Sequence, residues 1–439
     1  MKPEEIKSDE TVPFVLKDFH TALLVGVYFA TAKKKECEDH LAELVRLCDT
    51  FGLAVAGQIS CPMKKLDAGT YLGSGKVEEL CRMAVDLNAE IIIFDDEISP
   101  QQQRNLEKLF NRPVIDRTEL IIEIFGQRAR TKEARLQIQL AKIKYQFPRL
   151  RRLWTHLSRQ RGSGGGGGSG GHQRGEGEQQ IEIDKRLLRK QMDRLRQEIK
   201  EIEEQRVTQR HLRQRTRIPT FAIVGYTNAG KSTLLHALTQ AEVLIEDKLF
   251  ATLDTTTRKF SLPNKQEILL IDTVGFIRKI PHTLVTAFKS TLEEAVHTDI
   301  LLHLIDASHP SAEEQAEEAV KVLKELGAEH HPIITVLNKI DLCENHLALA
   351  KLSLKYPRTV SISALTGEGL EALLQSMIEA ISLLRKVITA KIPQSHYALV
   401  SELMREGRVI SCEYEENDIF LKVEIPSSLE YKVLPFVIG

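Results

Sequence analysis

Three things are scarce in this chain of 439 residues, and each scarcity removes a class of protein. Long apolar runs are missing: none reaches the ~18 residues that a membrane-spanning helix needs. The best candidate, Ala22 to Ala30, is short and follows a segment with acidic residues, so it reads as a buried strand and not as a signal peptide. Paired cysteines are missing too. Cys37, Cys48, Cys61, Cys81, Cys343 and Cys412 form no CxxC pair and no zinc-ligand spacing. They read as buried thiols in a reducing compartment, with a cytoplasmic protein as the default. Third, there is almost no net charge: 60 Lys+Arg stand against 61 Asp+Glu, for −1. With 42% hydrophobic and 28% charged residues the chain has a globular balance, neither disordered nor membrane-like. At about 150 residues per domain, its length predicts two to four domains.

The even charge is an average over unlike parts. Residues 1–115 alternate apolar and amphipathic stretches: strands at Ala22–Tyr28, Leu53–Ser60 and Ile91–Phe94, helices at Glu36–Thr50, Val77–Asn88 and Gln101–Phe110. Alternating strand and helix predicts an α/β subdomain with a mostly parallel sheet.

Residues 116–217 differ. Leu136, Ile143, Leu150 and Leu157 recur every seven residues, and Leu140, Phe147 and Trp154 fall four after the first three. Ile181, Leu188, Leu195 and Ile202 repeat the spacing, with Met192 and Ile199 between. Each is an a/d seam about 33 Å long, with Pro148 as a conflict that should kink or break the first helix. Between the seams, eight of the 25 glycines fall within Gly162–Gly171 alone. The pattern predicts a long antiparallel helical hairpin with a flexible tip loop at 162–177. From Arg128 to Arg161 there are 11 basic residues and one acid, Glu133; over Arg128–Arg217 the net charge is +14, so the other 349 residues carry −15.

Residues 218–384 show a second α/β pattern, with strands near Phe221–Val224, Ile268–Ile271, Ile300–Ile305, Ile333–Leu337 and Val360–Ile362. Residues 385–439 hold one helix, Tyr397–Arg405, and short alternating strands such as Ile419–Val423, a small α+β unit.

The chemistry lies in the second α/β pattern. Gly225-Tyr226-Thr227-Asn228-Ala229-Gly230-Lys231-Ser232 matches GxxxxGK[ST] between a strand and a helix. Its glycines let backbone N–H groups turn toward phosphate at a helix N-terminus. Lys231 would reach the β/γ-phosphates and Ser232 would ligate Mg²⁺. Four further motifs follow in order. Asp272-Thr273-Val274-Gly275 places a carboxylate to hold the metal through water, and the Gly275 N–H to sense the γ-phosphate. Lys231 and Gly275 are therefore the catalytic candidates. In Asn338-Lys339-Ile340-Asp341, the Asp341 carboxylate can accept guanine N1–H and N2–H₂. Adenine offers neither, and a buried unpaired carboxylate would cost roughly 1–3 kcal/mol, so the motif selects GTP. Ser363-Ala364-Leu365 would set a backbone N–H on the guanine carbonyl. Phe250-Ala251-Thr252-Leu253-Asp254-Thr255-Thr256 stands where a switch should supply a second Mg²⁺ ligand, and spacing leaves Thr252 and Thr256 open. A strand-end turn could produce any one of these. Five in order point to a P-loop GTPase. Phe276 follows Gly275 where many such enzymes carry Gln; it cannot hydrogen-bond the attacking water, which predicts slow basal hydrolysis and a water positioned by another group.

Together with the glycine-tipped basic hairpin, Gly69-Thr70-Tyr71-Leu72-Gly73-Ser74-Gly75-Lys76 and the run Arg174–Glu182, these motifs resemble the HflX-type GTPases of the Obg–HflX superfamily over essentially the whole chain. Gly175 is followed by Glu176, and Gln179 stands where the family has Thr. The resemblance implies Thr252 as the switch ligand, GTP/GDP and Mg²⁺ as ligands, a monomer, and binding to the large (50S) ribosomal subunit with a role in splitting, rescue or assembly.

The hairpin supports an RNA partner independently, because a +10 helical arm can neutralise several phosphates. Arg149, Arg151, Arg152, Arg159, Arg161 and Arg174 are the RNA-contact candidates. The competing reading is a charged coiled coil with a solvated face, in which Trp154 belongs to the apolar seam. A second class of function, a regulatory GTP-binding module docking a protein or an anionic membrane surface, is told apart by binding to RNA against acidic liposomes. Two weaker features read as structural: Gly69–Lys76 lacks the phosphate-loop spacing and is taken as a turn, and Asp95-Asp96-Glu97 before Ser99-Pro100 is taken as a solvated helix entry rather than a metal site.

Overall fold

A computed structural model describes residues 16–149, 173–216, 218–240, 249–250, 256–279 and 296–438, except 329, 344–345, 416 and 427–428. The contacts divide the chain into two compact units: Met1–Thr216 with Leu244–Thr255 and Val274–Glu293, and the remainder.

The first unit is built on four parallel strands, β1 (Thr21–Tyr28), β2 (Ala54–Pro62), β3 (Ile91–Phe94) and β4 (Val114–Asp116), in the order β2-β1-β3-β4. Central β3 is Ile-Ile-Ile-Phe and wholly buried, as a parallel strand covered on both faces must be. Helices α1 (Lys34–Phe51), α2 (Ser74–Asp86) and α3 (Pro100–Phe110) fall where the apolar periodicity puts them. α1 stops at Gly52, whose φ of 98° is left-handed. α3 opens on the expected cap: Ser99 and Gln102 exchange side-chain-to-backbone bonds and Pro100 takes the first turn. Of the carboxylates before it, Glu97 is exposed and Asp96 half-buried, but Asp95 is not solvated. Asp95 is 2% exposed and bonded to Arg117, which corrects the expected solvated entry.

β4 and the helix after it, α4 (Arg117–Arg128), were not legible as elements, since three residues behind Pro113 are too few to show a period. Asp116 caps α4, accepting from Glu119 N at 3.0 Å. The first hairpin helix, α5 (Lys132–Gln146), ends before Pro148, which sits in the 3₁₀ turn Phe147–Arg149, so the proline breaks no helical bond. The seam is real: Leu136, Leu140 and Ile143 of α5 bury with Leu195 of the long helix Gln173–Thr216, and Leu188, Met192, Ile199 and Ile202 pack against them. Leu150, Trp154 and Leu157 lie outside the described residues. Residues 173–177, expected in the tip loop, belong to the long helix.

The second unit carries a six-stranded sheet of β5 (Thr220–Gly225), β6 (Thr256–Ser261), β7 (Glu267–Asp272), β8 (Ile300–Asp306), β9 (Ile333–Asn338) and β10 (Thr359–Ser361), in the order β10-β9-β8-β5-β7-β6. All neighbours are parallel except β6, an antiparallel edge strand absent from the sequence reading because Thr-Thr-Arg-Lys-Phe-Ser shows little apolar alternation. Phe221, Ile223, Leu302, Leu304, Ile334 and Val336 lie in one buried core. The C-terminal residues form a separate antiparallel sheet, β11 (Arg385–Pro393), β12 (Arg408–Glu415) and β13 (Asp418–Pro426) in the order β11-β13-β12, with helix Tyr397–Glu406 contributing Val400 and Leu403 to its core.

All six cysteines are free thiols, but only Cys37, Cys48 and Cys61 are buried as expected, and burial pushes them up to about 11, 12 and 11; Cys81, Cys343 and Cys412 are half-buried, which corrects the reading of six buried thiols. Among the described residues no helix is long and apolar enough to cross a membrane.

Candidate nucleotide-binding site

Three loops at the carboxyl ends of β5, β9 and β10 meet through one side chain. Asn338 Nδ2 donates to Ala229 O at 2.8 Å, and its Oδ1 accepts from Ala364 N at 2.9 Å. One buried amide thus ties the phosphate loop to the Ser363-Ala364-Leu365 loop. Its closeness makes Gly230 obligatory, because φ is 91° there and an added Cβ would come within 2.2 Å of Asn338 Nδ2. Gly225 is equally confined: a Cβ would lie 2.3 Å from Leu304 O.

Lys231 and Ser232 open the helix Lys231–Thr239, N-terminal to which the loop backbone turns. The Lys231 ammonium is buried and donates to Tyr226 O at 2.8 Å and Gly225 O at 3.3 Å. Burial lowers its pKa to about 8, with the Asp272 carboxylate opposing that shift. Ser232 Oγ donates to Asp272 Oδ2 at 2.9 Å. A hydroxyl beside a carboxylate is an oxygen-only donor set, the kind a hard Mg²⁺ ion prefers, so the residues present fit that metal. Thr273 Oγ1 donates to Ile223 O at 2.7 Å and pins the end of β7 to β5.

On the base side, Asp341 sits exposed in the 3₁₀ turn Ile340–Leu342. Lys339 precedes it with φ of 63°, and its Nζ pairs with Asp306 Oδ2 at 2.8 Å. Asp306 was missed by motif reading. Its only sequence signal is a carboxylate closing an apolar strand. Ser363 is buried and its Oγ accepts from Thr366 N at 3.2 Å, shaping the last loop.

Other predicted site residues lie in the first unit. Phe250 is 3% exposed and its ring meets that of Phe125 at 4.4 Å. Gly275 and Phe276 are buried, Phe276 at 1% exposure, so its ring is a core group. Ala251, Thr252, Leu253 and Asp254 fall outside the described residues; Thr256 heads β6, paired with Asp272 across the sheet.

The arginines expected at RNA separate. Arg149 is 6% exposed, with Nε to Gln103 at 3.0 Å, Nη2 to Ile98 O at 2.8 Å and its guanidinium over the Tyr145 ring at 3.7 Å. It is a core residue and not an RNA contact, because α3, α4 and α5 close around it. Arg151, Arg152, Arg159 and Arg161 lie outside the described residues, and Arg174 is in the first turn of the long helix.

A mostly parallel sheet with a GxxxxGK[ST] loop after its central strand, Asp272 closing the neighbouring strand and the Asn338–Asp341 and Ser363–Leu365 runs after the next strand ends is the arrangement of a P-loop GTPase. Family models agree along the chain: "GTP-binding GTPase N-terminal" over residues 38–126, "GTP-binding GTPase Middle Region" over 128–213 and "50S ribosome-binding GTPase" over 220–339. The GTPase HflX of Chlamydia pneumoniae is 47% identical over 96% of this chain and 89% of its own length. That of Escherichia coli K12 is 39% identical over 92% and 93%. A GTP-binding protein from Sulfolobus solfataricus, solved with GDP, is 26% identical over 83% of this chain and 99% of its own, with a TM-score of 0.43. The chain belongs to the HflX family of GTPases and is a GTP-hydrolysing enzyme.

Proposed function

We propose that this enzyme is a Mg²⁺-dependent GTP switch that binds the large ribosomal subunit and uses its basic hairpin to engage ribosomal RNA. The observation that carries this reading is the pairing of a P-loop GTPase sequence with a stretch of net charge +10, residues 128–161. Loss of Arg149 to the core still leaves ten basic residues on that stretch. Ser232 and Asp272 through water would hold Mg²⁺, with Thr252 as the switch ligand. The metal would neutralise the β- and γ-phosphate oxygens. Lys231 would contact those same phosphates, and Asp341 would read guanine. The description "50S ribosome-binding GTPase" for residues 220–339 supports the choice of partner. Because Phe276 is a core residue unable to hydrogen-bond water, basal turnover should be slow and the ribosome should accelerate it.

GTP turnover measured with and without isolated large subunits tests this directly. The expected result is stimulation of at least about tenfold, with tighter co-sedimentation in a GTP analogue than in GDP. Equal sedimentation in the two nucleotides, or binding to acidic liposomes in place of ribosomal RNA, would sink it.

A further inference from the structure

Asp306 closes β8 directly beside Asn338, its neighbour in the parallel ladder, and Ala307 N donates across to Asn338 O at 2.9 Å. Both oxygens of its carboxylate are engaged. Oδ1 accepts from Ser308 Oγ at 2.6 Å and from Ser308 N at 3.1 Å. Oδ2 pairs with Lys339 Nζ at 2.8 Å. The two side chains are 13% and 25% exposed, so the pair is partly shielded from water and salt. Ser308 thus fixes the carboxylate, and the carboxylate fixes the ammonium.

Lys339 is a residue that needs holding. Its φ of 63° is left-handed, which costs a residue with a Cβ about 1 kcal/mol or more and persists where its surroundings fix it. The backbone on either side is tied down: Asn338 is braced on Ala229 and Ala364, and Ile340 N donates to Ile362 O at 3.3 Å. Two residues beyond Lys339 stands Asp341, exposed, with a carboxylate that takes part in no hydrogen bond or ion pair among the described residues. The flexible four-carbon stem of a lysine could carry its ammonium to that carboxylate. Asp306 and Asp341 already bear on one spot of this turn: the Cys343 thiol is pushed up first by burial, then by both carboxylates. Lys339 has two anions within reach of its turn, and it is on Asp306.

We propose that Asp306, fixed by Ser308, withholds the Lys339 ammonium from Asp341, so that the Asp341 carboxylate stands open to the N1–H and N2–H₂ of guanine. This rests on the reading of Asp341 as the guanine acceptor. Asp306 is a positioning residue: it acts through Lys339. Released from Asp306, the ammonium would compete with the base for Asp341, and the left-handed residue would lose its side-chain anchor. Selectivity for guanine would then depend on a carboxylate outside the guanine-reading motif.

The test uses the full chain and measures affinities for GTP and for inosine triphosphate, whose base lacks the N2–H₂ group. A fold that is merely loosened would weaken both nucleotides alike, whereas a misplaced Asp341 changes their ratio. Asp306→Asn should shrink the preference for GTP by at least about threefold. In a Lys339→Met background the same change should alter the preference by less than about 1.5-fold, because there is no ammonium left to withhold. A smaller loss in the first case, or a comparable loss in both backgrounds, would overturn the proposal. Should Asp306→Asn melt below the assay temperature, Ser308→Ala decides in its place, since it keeps the ion pair and frees one carboxylate oxygen. Its preference should shrink by at least about 1.5-fold, and a smaller change counts against the role of Asp306. Asp341→Asn is the separate control. If it leaves the preference untouched, the reading of Asp341 itself fails, whatever Asp306 does; if it abolishes the preference while Asp306→Asn changes nothing, only the role of Asp306 is lost.

Discussion

Asn338 shows how much a single side chain can organise. Its amide satisfies a carbonyl of the loop after β5 and an N–H of the loop after β10, so the two loops share one brace. Asp341 follows three residues after Asn338 and is the proposed reader of guanine. Replacing Asp341 with Asn leaves one accepting oxygen and sets a donating amide NH₂ against the second guanine donor, and GTP affinity should fall at least about tenfold, checked by titration with a fluorescent GTP analogue. His303 on β8 gives a prediction of another kind. It is 1% exposed, its Nε2 has no hydrogen-bond partner, and burial lowers its pKa to about 4 from 6.5. Between those values the unfolded chain binds a proton that the folded chain refuses. Stability therefore rises with pH across that window and is flat above it, by about 3 kcal/mol in all. Urea midpoints at pH 5 and pH 7 should differ in the parent and converge in His303→Phe; an unchanged difference would clear His303 of the effect.

At the level of elements, legibility followed periodicity. β1, β3, α1, α3 and the five parallel strands of the nucleotide sheet carry long or strongly patterned apolar runs, and each was placed from spacing within a few residues. β4, α4 and β6 escaped: β4 has three residues, α4 is buried on most sides and so lacks a polar stripe, and β6 is an edge strand with no apolar face. The heptad spacing did foretell the seam between α5 and the long helix. Leu195→Ala should cut into that seam at a residue 5% exposed and destabilise the hairpin by about 2–5 kcal/mol. Faster amide exchange along Lys132–Gln146 is the expected signature, with GTP affinity unaltered because the seam holds none of the nucleotide motifs.

For the molecule as a whole, polarity of charge and the two contact units are the governing facts. The +14 over residues 128–217 predicts that large-subunit binding weakens steeply with salt, by at least about tenfold between 50 and 200 mM. Sedimentation across that range checks it. Deleting Gly162–Gly171 should impair action on the ribosome while leaving nucleotide affinity nearly unchanged, since those residues lie outside every nucleotide motif. The nucleotide chemistry could be determined from sequence alone, because each motif is a contiguous run at a strand end and contiguity survives without coordinates. Which charged groups face inward is a different matter. Arg149 looked like an RNA contact and is a core residue; Asp95 looked like a solvated turn and is the buried partner of Arg117 and Lys279. Lys279 and Asp95 are 184 positions apart, and no local pattern encodes that meeting. Only the tertiary structure could decide it, because the cost of burying a charge is offset by whatever partner the packing brings, and packing joins residues without regard to their distance along the chain.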